Sequence, residues 1–406
     1  MSIIVQKYGG SSVADAERIQ RVCNHIIELK KQGHQPVVVV SAMGDSTDHL
    51  IELAKSVNPS PSSREMDMLL STGEQISISL LAMAIESKGF KAISLTGYQC
   101  GIFTDQFYSK AKINEIKADR ITAEIEKDNI VIVAGFQGIN ENGDITTLGR
   151  GGSDTTAVAL AVALNAELCE IYTDVKGIYT TDPRVVKSAK QMSKISYDEM
   201  LELAKLGAKV MHPRSVELAR KNQMKLVVRS SFELTAPGTE ITEVKDMEKA
   251  QVRGVTLDDD IVRLSVPSVP DKPGIAYKMF SALAAQNVHI DMIIQNLTHD
   301  GHNDISFTIP KDDLKVVEPI IKQFVDEVGS DALLVRDDVA KLSIVGTGIT
   351  SDANIASGLF GALYKMGINI EMISTSEIKI SCIIDKTQSK AALNEIHDFF
   401  ELQHVM

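Results

Sequence analysis

The sequence predicts an α/β protein. We expect a three-layer αβα domain around a mainly parallel sheet, followed by two interleaved, ferredoxin-like βαββαβ modules. Short β-branched runs alternate with helical patterns across residues 1–232, a rhythm typical of parallel sheets covered by helices on both faces. The last part of the chain repeats itself, which indicates two copies of one small module. The length of 406 residues accommodates these domains.

The elements of the first domain follow from changes in hydrophobic periodicity. Buried strands are predicted where apolar β-branched residues run together, and helices where apolar residues recur every three or four positions. The strand runs lie at 3–5, 37–40 and 130–133, with a short one at Ile171. The helical patterns are a stretch around Ile19 and Ile26, a long stretch at 64–88 and an alanine-rich stretch at 155–164.

The repeat in the last part of the chain becomes visible at a shift of 80 positions. Eight identities then fall within 19 residues, among them Ile275 with Ile355 and Met292 with Met372. A strand pattern at 252–257 precedes the first copy, whereas the second copy lacks a last strand, so we expect the early strand to complete the second sheet. The predicted boundaries are 1–232 for the large domain, 233–250 for a linker, 258–337 for the first module, and 251–257 with 338–406 for the second.

Composition and charge exclude several classes of protein. A formal net charge of −12 disfavours nucleic-acid binding, which needs clustered Lys and Arg. No apolar run approaches the ~20 residues of a membrane helix, and we expect neither a membrane partner nor a signal peptide. The four cysteines are scattered, which argues against disulfides or a zinc site and predicts a cytoplasmic location.

Two glycine-rich segments are candidates for binding anions. Lys7 lies on the first predicted strand, and Gly9 and Gly10 after it allow backbone N–H groups to approach a phosphate. Around Arg150, glycines and then hydroxyl residues open a predicted helix, which combines a guanidinium with free N–H groups. The alternative for the first segment is a plain strand-to-helix turn with a serine as the N-cap.

Polar residues in two further places suggest ligand contacts. Ser41 and Thr47 follow a buried strand, at the end where open α/β sheets place ligands. A capped polar turn is the alternative there. Glu74 lies in a long, otherwise apolar helical pattern, so it needs a partner such as a cationic ligand group if it is buried. The alternative is that Glu74 lies on the solvated face.

The segment 172–184 joins a strand end to a loop that closes with Asp-Pro-Arg. Its composition suits contacts to an adenine ring, a ribose and phosphates, although Asp-Pro is also a common turn. Lys209 and His212 lie farther along the chain. We interpret His212 as a turn residue and not as a catalytic base.

Taken together, these segments resemble the aspartokinases of the amino-acid kinase family. The matching segments, in family order and spacing, are K-Y-G-G-S-S-V at Lys7, S-A-M-G-D-S-T-D at Ser41, T-G-E at Thr72, G-F-Q-G at Gly135, T-T-L-G-R-G-G-S-D-T-T at Thr146 and Y-T-D-V-K-G-I-Y-T-T-D-P-R at Tyr172. The repeat resembles the paired ACT domains of the same enzymes. The resemblance covers essentially the whole chain, and the segment 106–111 departs from it by lacking the family's H-G-N-A-R wording.

The resemblance implies roles for individual residues. The catalytic residues would be Lys7, Arg150 and Asp174. Aspartate would be held by Thr47, Glu74, Arg150, Gly151, Gly152 and Ser153, with Glu74 on its α-ammonium and Arg150 on a carboxylate. ATP would be bound by Lys7, Tyr8, Gly9, Gly10, Ser41, Asp154, Thr173, Asp174, Tyr179, Thr180, Asp182, Arg184 and Lys209. Mg²⁺ is expected on the ATP phosphates and not on a dedicated set of protein side chains.

The implied reaction is ATP-dependent phosphorylation of the β-carboxylate of L-aspartate, the first step of lysine, threonine, methionine and diaminopimelate biosynthesis. A carboxylate with a pKa near ~4 is already ionised at pH 7, so no general base is needed. Catalysis then consists of neutralising charge and aligning the reactants. The alternatives are a glutamate or N-acetylglutamate kinase, and an amino-acid sensor with an inactive kinase domain. The presence of Lys7, Arg150 and Asp174 argues against the sensor.

The paired ACT domains imply feedback regulation by lysine, threonine or both. The first effector site is expected at Asp271, Gly274, Ile275, Ala276, His289, Ile290, Asp291 and Gln295. In the second copy the corresponding or adjoining residues are Ile355, Ala356, Asn369, Ile370 and Ser376. The alternative is that both copies serve only for dimerisation. We expect a homo-oligomer through the ACT domains, and a separate short regulatory subunit starting at Met247 is a further expectation.

Overall fold

The computed structural model describes residues 2–208, 210–243, 251–286, 288–297 and 301–405. In the first domain the strands are β1 (Ile3–Tyr8), β2 (Gln35–Val40), β3 (Ala92–Leu95), β4 (Ile102–Thr104), β5 (Ile113–Ile116), β6 (Ile130–Ala134), β7 (Gln137–Ile139), β8 (Ile145–Thr147), β9 (Leu168–Thr173), β10 (Lys194–Ser196), β11 (Leu226–Ser230) and β12 (Thr239–Thr242). The helices are α1 (Ala16–Lys31), α2 (Ser46–Val57), α3 (Ser63–Glu86), α4 (Asp119–Glu126), α5 (Gly152–Ala163), α6 (Tyr197–Lys205) and α7 (Pro213–Lys221).

The large sheet has the strand order β10-β12-β11-β9-β1-β2-β6-β3, and its central strands are parallel. A smaller sheet, β5-β4-β7-β8, lies beside it. The run of valines in β2 is buried on both faces, as the sequence predicts. Val38 and Val40 pack in the core shared with α1 and α3, and Val37 and Val39 pack in the core shared with α5. The result is the predicted three-layer αβα arrangement.

The helix α3 is long and apolar enough, by length and composition alone, to cross a membrane. Its 24 residues contain an 18-residue window with a mean hydropathy of 1.4, and 56% of that window is buried. The helix packs one face against α1, β3 and β6, whereas Ile76 and Met83 on this helix are exposed. The sequence predicts a helix here but shows no continuous apolar run, because Ser71, Thr72 and Glu74 interrupt the apolar residues.

The last part of the chain forms two α/β modules. Their strands are β13 (Gln251–Asp258), β14 (Ile261–Pro270), β15 (Ile293–Leu297), β16 (His302–Pro310), β17 (Leu334–Arg336), β18 (Val339–Thr347), β19 (Met372–Ser376) and β20 (Lys379–Asp385), and their helices are α8 (Ile275–Ala284), α9 (Leu314–Val328), α10 (Ala353–Lys365) and α11 (Ser389–Phe399). The first module has the sheet β15-β16-β14-β17 with α8 and α9 packed on it, and the second has β13-β18-β20-β19 with α10 and α11.

The two modules are interleaved in the chain. Strand β13 precedes the first module, yet it pairs antiparallel with β18 of the second, from Gln251 opposite Thr347 to Asp258 opposite Lys341. This is the pairing that the missing last strand of the second copy predicts.

The predicted linker at 233–250 differs from the structure in its first half. Strand β12 lies inside it and pairs with β10 and β11 of the large sheet. The Pro237-Gly238 pair lies directly before β12 and forms a turn. Gly238 has φ of +75°, and a Cβ there would lie 2.2 Å from the carbonyl oxygen of Val228. The turn therefore requires glycine and returns the chain to the sheet.

Candidate active site

The carboxyl ends of β1, β2, β6 and β9 meet at one edge of the large sheet. Strands β2 and β9 lie on opposite sides of β1, so a crevice opens above β1, as expected at a topological switch point. A cavity of about 210 Å³ lies there, lined by Lys7, Ser41, Thr47, Glu74, Phe136, Gly149, Arg150, Gly151, Gly152, Ser153 and Asp154. All of these except Phe136 and Gly149 belong to the set implied by the sequence, so the fold brings together residues from distant segments.

An ion pair lies at the centre of the cavity. Lys7 Nζ is 2.7 Å from Asp154 Oδ1, and both side chains are largely buried. Lys7 is held on β1 between two parallel neighbours, and Asp154 lies in the first turn of α5. A helix N-terminus favours negative charge, and an ammonium group has three N–H donors. Lys7 therefore keeps donors for further acceptors, such as phosphate oxygens, while it is paired with Asp154.

Glycines let the backbone close around the cavity. A Cβ on Gly10 would lie 2.7 Å from the carbonyl oxygen of Ala42, so the loops after β1 and β2 could not approach as they do. Gly151 is the N-cap of α5 with φ of +70°, and a Cβ there would lie 2.2 Å from His212 Cβ. Both positions therefore exclude any larger residue. The Gly152 N–H donates to the Gly149 carbonyl at 2.9 Å, so the Ser153 N–H is the next donor of α5 that can meet a ligand.

Glu74 is a buried acid with one unsatisfied oxygen. It is 3% exposed, and its Oε1 accepts a hydrogen bond from the Ala42 N–H at 3.0 Å. Its Oε2 is buried and has no hydrogen-bond partner among the described residues. Burial raises the pKa of Glu74 from its usual 4.5 to about 7. Glu74 lines the cavity, and a buried carboxylate with an unpaired oxygen is suited to a cationic group of a ligand.

Arg150 lies at the mouth of the cavity. Its side chain is exposed and forms no ion pair within the part of the chain that the structure covers. Its guanidinium is therefore available for a carboxylate or a phosphate. Ser41, at the end of β2, and Thr47, in the first turn of α2, add hydroxyl groups to the wall.

Asp67 is a residue of this region that sequence reasoning missed. It is fully buried on α3, and its carboxylate accepts from the backbone N–H groups of Ser109 and Thr147, each at 2.8 Å. These bonds hold the loop 106–111 against β8, directly before the segment that carries Arg150. The carbonyl oxygen of Ser109 would lie 2.9 Å from a Cβ on Gly149. The sequence signal for Asp67 was an acidic residue within an apolar helical pattern, the same signal that singled out Glu74.

The residues assigned to the nucleotide lie mainly outside this cavity, on the end of β9 and the loop after it. Thr173 Oγ1 donates to Asp174 Oδ1 at 3.0 Å, and Asp174 is exposed. Arg184 is exposed and paired with Asp182 at 2.8 Å, which lowers the pKa of that carboxyl. Tyr179 is half-buried and forms a β-bridge with Gln191. Lys209 lies outside the described residues.

Two side chains assigned to ATP do not reach the site. Tyr8 is fully buried, and its hydroxyl is bonded to Gln6 at 3.2 Å and to His25 at 2.8 Å. Successive residues of a strand point to opposite faces, so a Lys7 side chain in the cavity turns Tyr8 inward. Thr180 is also fully buried, and its hydroxyl bonds to His397. Direct side-chain contacts from these two residues to ATP were wrong expectations.

His212 has the structural role that the sequence reading gave it. It is the N-cap of α7, and its Nδ1 accepts from the Arg214 N–H at 3.3 Å. Desolvation lowers the pKa of the ring, although the charge of Asp154 acts in the other direction.

The residues of the expected first effector site are placed around the start of α8 and the loop before β15. Gly274 is the N-cap of α8 with φ of +91°, and the Asp271 carboxylate accepts from Asn303 Nδ2 at 2.9 Å. Ile275 and Ala276 follow in the first turn, and Gln295 is exposed on the edge strand β15. His289 is exposed and Ile290 half-buried in the loop.

Asp291 already has a cation in this structure. Lys341, which is 2% exposed on β18 of the second module, lies 2.5 Å from it. A second ion pair also connects the modules: Arg263 Nη1 of the first module lies 2.5 Å from Glu371 Oε2 of the second. Asp291 thus joins the two modules, and its carboxylate, which the sequence analysis places in the effector site, is already paired with Lys341.

In the second copy the expected effector residues divide by burial. Ile355 is 8% exposed, packs in the core of the second module and also lines a cavity of about 310 Å³ beside Asp352 and Phe400. Asn369 and Ser376 are exposed, and Ala356 and Ile370 are half-buried. Met247, the expected start of a short subunit, lies outside the described residues.

Comparison with known proteins identifies both parts of the chain. Residues 2–230 match the amino acid kinase family, and residues 266–323 and 342–400 match the ACT domain. The chain is 50% identical over 403 residues to the aspartokinase of Geobacillus stearothermophilus and 49% identical over 403 residues to that of Bacillus sp. (strain MGA3). Each comparison covers 99% of this chain and 98% of the relative.

Solved structures agree with the fold. The aspartate kinase from Synechocystis is 45% identical with a TM-score of 0.56, over 99% of this chain and 69% of that one. Aspartokinase III of E. coli in complex with aspartate and ADP is 24% identical with a TM-score of 0.84, over 98% and 99%, and supports the fold alone. The same enzyme in complex with lysine and aspartate is 26% identical with a TM-score of 0.75, over 98% and 99%. The chain belongs to the aspartokinase family, the ATP-dependent kinases that phosphorylate L-aspartate.

Proposed function

We propose that the cavity above β1 binds L-aspartate beside the γ-phosphate of ATP and transfers that phosphoryl group to the β-carboxylate. The observation that carries this assignment is that Glu74 lines the cavity while its buried Oε2 has no hydrogen-bond partner among the described residues. The α-ammonium of aspartate fills that need. Pairing with an ammonium also explains how an acid whose pKa is raised to about 7 in the empty site would ionise when substrate binds.

The two carboxylates of aspartate have donors on the opposite wall. Arg150 offers a planar guanidinium for one of them, and the Ser153 N–H in the first turn of α5 lies beside the same space. Thr47 adds a hydroxyl from the side of α2. Because the ammonium and the carboxylates are held at different walls, the orientation of the β-carboxylate is fixed before the reaction.

Lys7 is the residue that we assign to the transferring phosphoryl group. The nucleophile is already an anion at pH 7, so the barrier arises from repulsion between a carboxylate and the ATP phosphates. The Lys7 ammonium and the backbone at Gly9 and Gly10 reduce that repulsion in the transition state. Asp174, at the end of β9, completes the proposed catalytic set from the nucleotide side.

Mg²⁺ fits this site as a companion of ATP. The described residues contain no cluster of three or more His, Cys, Asp or Glu side chains able to hold a metal ion. Mg²⁺ keeps waters and phosphates as ligands and takes only one or two carboxylates, and Asp154 in the cavity supplies one. When bound, the ion neutralises phosphate charge. Asp154 would orient it, and Lys7 would remain the protein's own cation.

The nucleotide is assigned to the rim formed by β9 and the following loop. Thr173, Asp174, Tyr179, Asp182 and Arg184 are the side chains proposed to contact it. Gly9, Gly10 and Ser41 are proposed to face the phosphates. The buried positions of Tyr8 and Thr180 leave these two residues as supports of the site and not as contacts.

The substrate assignment can be tested with N-acetyl-L-aspartate, which keeps both carboxylates but lacks the ammonium. Acyl-phosphate formation should be seen with L-aspartate and be at least ~100-fold slower, at equal concentration, with the acetylated compound, because Glu74 would lose its cation. L-Glutamate serves as the second comparison. Equal rates with L-aspartate and its N-acetyl derivative would overturn the role of Glu74.

The regulatory part is proposed to bind an end-product amino acid, lysine or threonine or both. The support is the matched pair of ACT domains, together with the exposed Gln295 and the helix start after Asp271. We also propose a homo-oligomer formed through the ACT domains, a short regulatory subunit beginning at Met247, and a cytoplasmic location. Inhibition requires that the effector bind the less active state more tightly.

A further inference from the structure

The loop between β9 and β10 is part of the kinase domain in the chain but also packs in the second ACT domain. It begins at the proposed ATP site and continues into the core of the second ACT domain. Val186 in this loop is 1% exposed and packs in the same apolar core as Leu359 and Ile396 of that domain. Val185 and Ala189 pack against this core as well. The loop is therefore a physical connection between the regulatory part and the nucleotide.

Thr180 is the point where this connection is made by hydrogen bonds. Its N–H donates to the Lys190 carbonyl at 2.9 Å, and its carbonyl accepts from the Val255 N–H of β13 at 2.8 Å. Its hydroxyl accepts from the Lys190 N–H at 3.0 Å and lies 2.9 Å from His397 Nε2 on α11. All polar groups of Thr180 are thus engaged, and two of these partners belong to the second ACT domain.

His397 is suited to accept a hydrogen bond from the Thr180 hydroxyl at its Nε2. It is fully buried, and its Nδ1 lies 3.5 Å from Ser188 Oγ and 3.6 Å from Asp398 Oδ1. Because Thr180 Oγ1 already accepts from Lys190, its own proton is free for Nε2, and the ring proton then belongs on Nδ1, toward Ser188 and Asp398. Burial lowers the pKa of His397, which favours this neutral ring.

We propose that His397 is a positioning residue for the ATP site: acting through Thr180, it holds the loop after β9 in the conformation that presents Tyr179 and Asp182 to the nucleotide. Tyr179 adjoins Thr180, and Asp182 lies two residues beyond it, so a displacement of Thr180 moves both. This inference rests on the proposed assignment of the loop to ATP. It gives the second ACT domain a direct structural influence on nucleotide binding, with no contact of its own to ATP.

The test is to replace His397 by leucine and by glutamine and to measure steady-state kinetics for each substrate. His397→Leu removes the acceptor and should raise KM for ATP roughly five- to tenfold, the effect of about one lost hydrogen bond. KM for aspartate should stay within about twofold, since Glu74 and Arg150 line a cavity to which no residue of this loop contributes. His397→Gln should restore most of the ATP affinity because its amide oxygen can accept the Thr180 proton.

Two controls separate positioning from loss of stability. Ile384 is fully buried on β20 of the same domain, and Ile384→Val and Ile384→Ala span a range of destabilisation without touching the hydrogen bond. Both should leave KM for ATP near the parent value at a temperature where thermal unfolding shows them folded. Thr180→Val removes the hydroxyl, and adding His397→Leu to Thr180→Val should then have no further effect on KM for ATP.

The outcomes distinguish this inference from the function on which it rests. Asp182→Ala tests the loop itself. If Asp182→Ala raises KM for ATP and His397→Leu does not, the inference is wrong and the ATP assignment stands. If neither changes KM for ATP, the assignment of the loop to ATP fails and the inference fails with it. Equal increases in both KM values for His397→Leu, or a similar ATP effect in Ile384→Ala, would show a merely structural role and overturn the proposal.

Discussion

Glu74→Gln should produce two opposite effects in the same protein. It should weaken aspartate binding, because the amide carries no charge for the α-ammonium. It should also stabilise the empty protein at neutral and alkaline pH, because the variant no longer buries a carboxylate with an unpaired oxygen. The glutamine oxygen can still accept from the Ala42 N–H, so the one existing hydrogen bond is kept.

The size of the stabilisation follows from the pKa. The difference between 4.5 and about 7 for Glu74, at about 1.4 kcal/mol per pKa unit, corresponds to roughly 3 to 4 kcal/mol. A carboxyl group with a higher pKa in the folded state holds its proton more tightly when folded. Its unfavourable contribution is therefore absent below about pH 4.5, grows as the pH rises to about 7, and is complete above pH 7.

The measurement is the free energy of unfolding in urea at pH 5 and pH 8, without substrates. Glu74→Gln and the parent should be similar at pH 5, and the variant should be more stable at pH 8 by up to roughly 3 to 4 kcal/mol. Calorimetry of aspartate binding at pH 6 in two buffers of different ionisation enthalpy should detect proton release by the parent and none by the variant. KM for aspartate should rise at least ~10-fold in the variant.

A matched control is Glu124→Gln. Glu124 is also buried, but Arg120, Lys127 and Asn129 donate to its carboxylate, and these partners lower its pKa. This variant should lose stability at pH 8 and leave KM for aspartate unchanged. The reasoning about Glu74 would be refuted by a Glu74→Gln protein with no gain in stability at pH 8, or with the parent's KM for aspartate.

Three further predictions follow from the site and the regulatory part. Lys7→Ala should lower kcat by more than ~10²-fold in a protein with an unchanged circular dichroism spectrum; a variant with half the parental kcat would remove Lys7 from catalysis. Arg150→Ala should raise KM for aspartate by roughly 10- to 100-fold, more than Glu74→Gln does, in initial-rate assays. Asp271→Ala and Gln295→Ala should each raise the effector concentration needed for half-maximal inhibition; unchanged inhibition curves with lysine and threonine would place the effector elsewhere.

Local patterns in the sequence were sufficient for the central strands and the site motifs. The valine run of β2 has one physical solution, a strand buried on both faces, and residues that follow such strands meet at one edge of a parallel sheet. Glu74 illustrates what local patterns cannot predict. Its position in an apolar helix showed that it needed a partner if buried, but only the packing of α3 against the loop at Ala42 determines that it is buried.

The features that sequence reasoning missed depend on contacts between distant residues. Thr180 is turned inward by a histidine 217 positions away, and Asp67 holds a strand 80 positions away. Neither of these two long-range contacts produces a periodic pattern in the nearby sequence. Strand β12 was missed for a different reason, since the Pro-Gly turn before it has the same composition as a linker. In each case tertiary structure selects one of several locally acceptable conformations.

The placement of β13 has a consequence for the order in which the protein is synthesised. Residues 251–258 leave the ribosome before the whole first ACT domain, while their partner strand β18 comes only afterwards. The kinase domain has already been synthesised at that time, so the Thr180 carbonyl can accept a hydrogen bond from the Val255 N–H. The first ACT domain can thus complete its sheet during translation, whereas the second cannot close before the chain reaches β20. A chain that ended before β18 would therefore have a kinase domain, a complete first ACT domain and an unpaired β13.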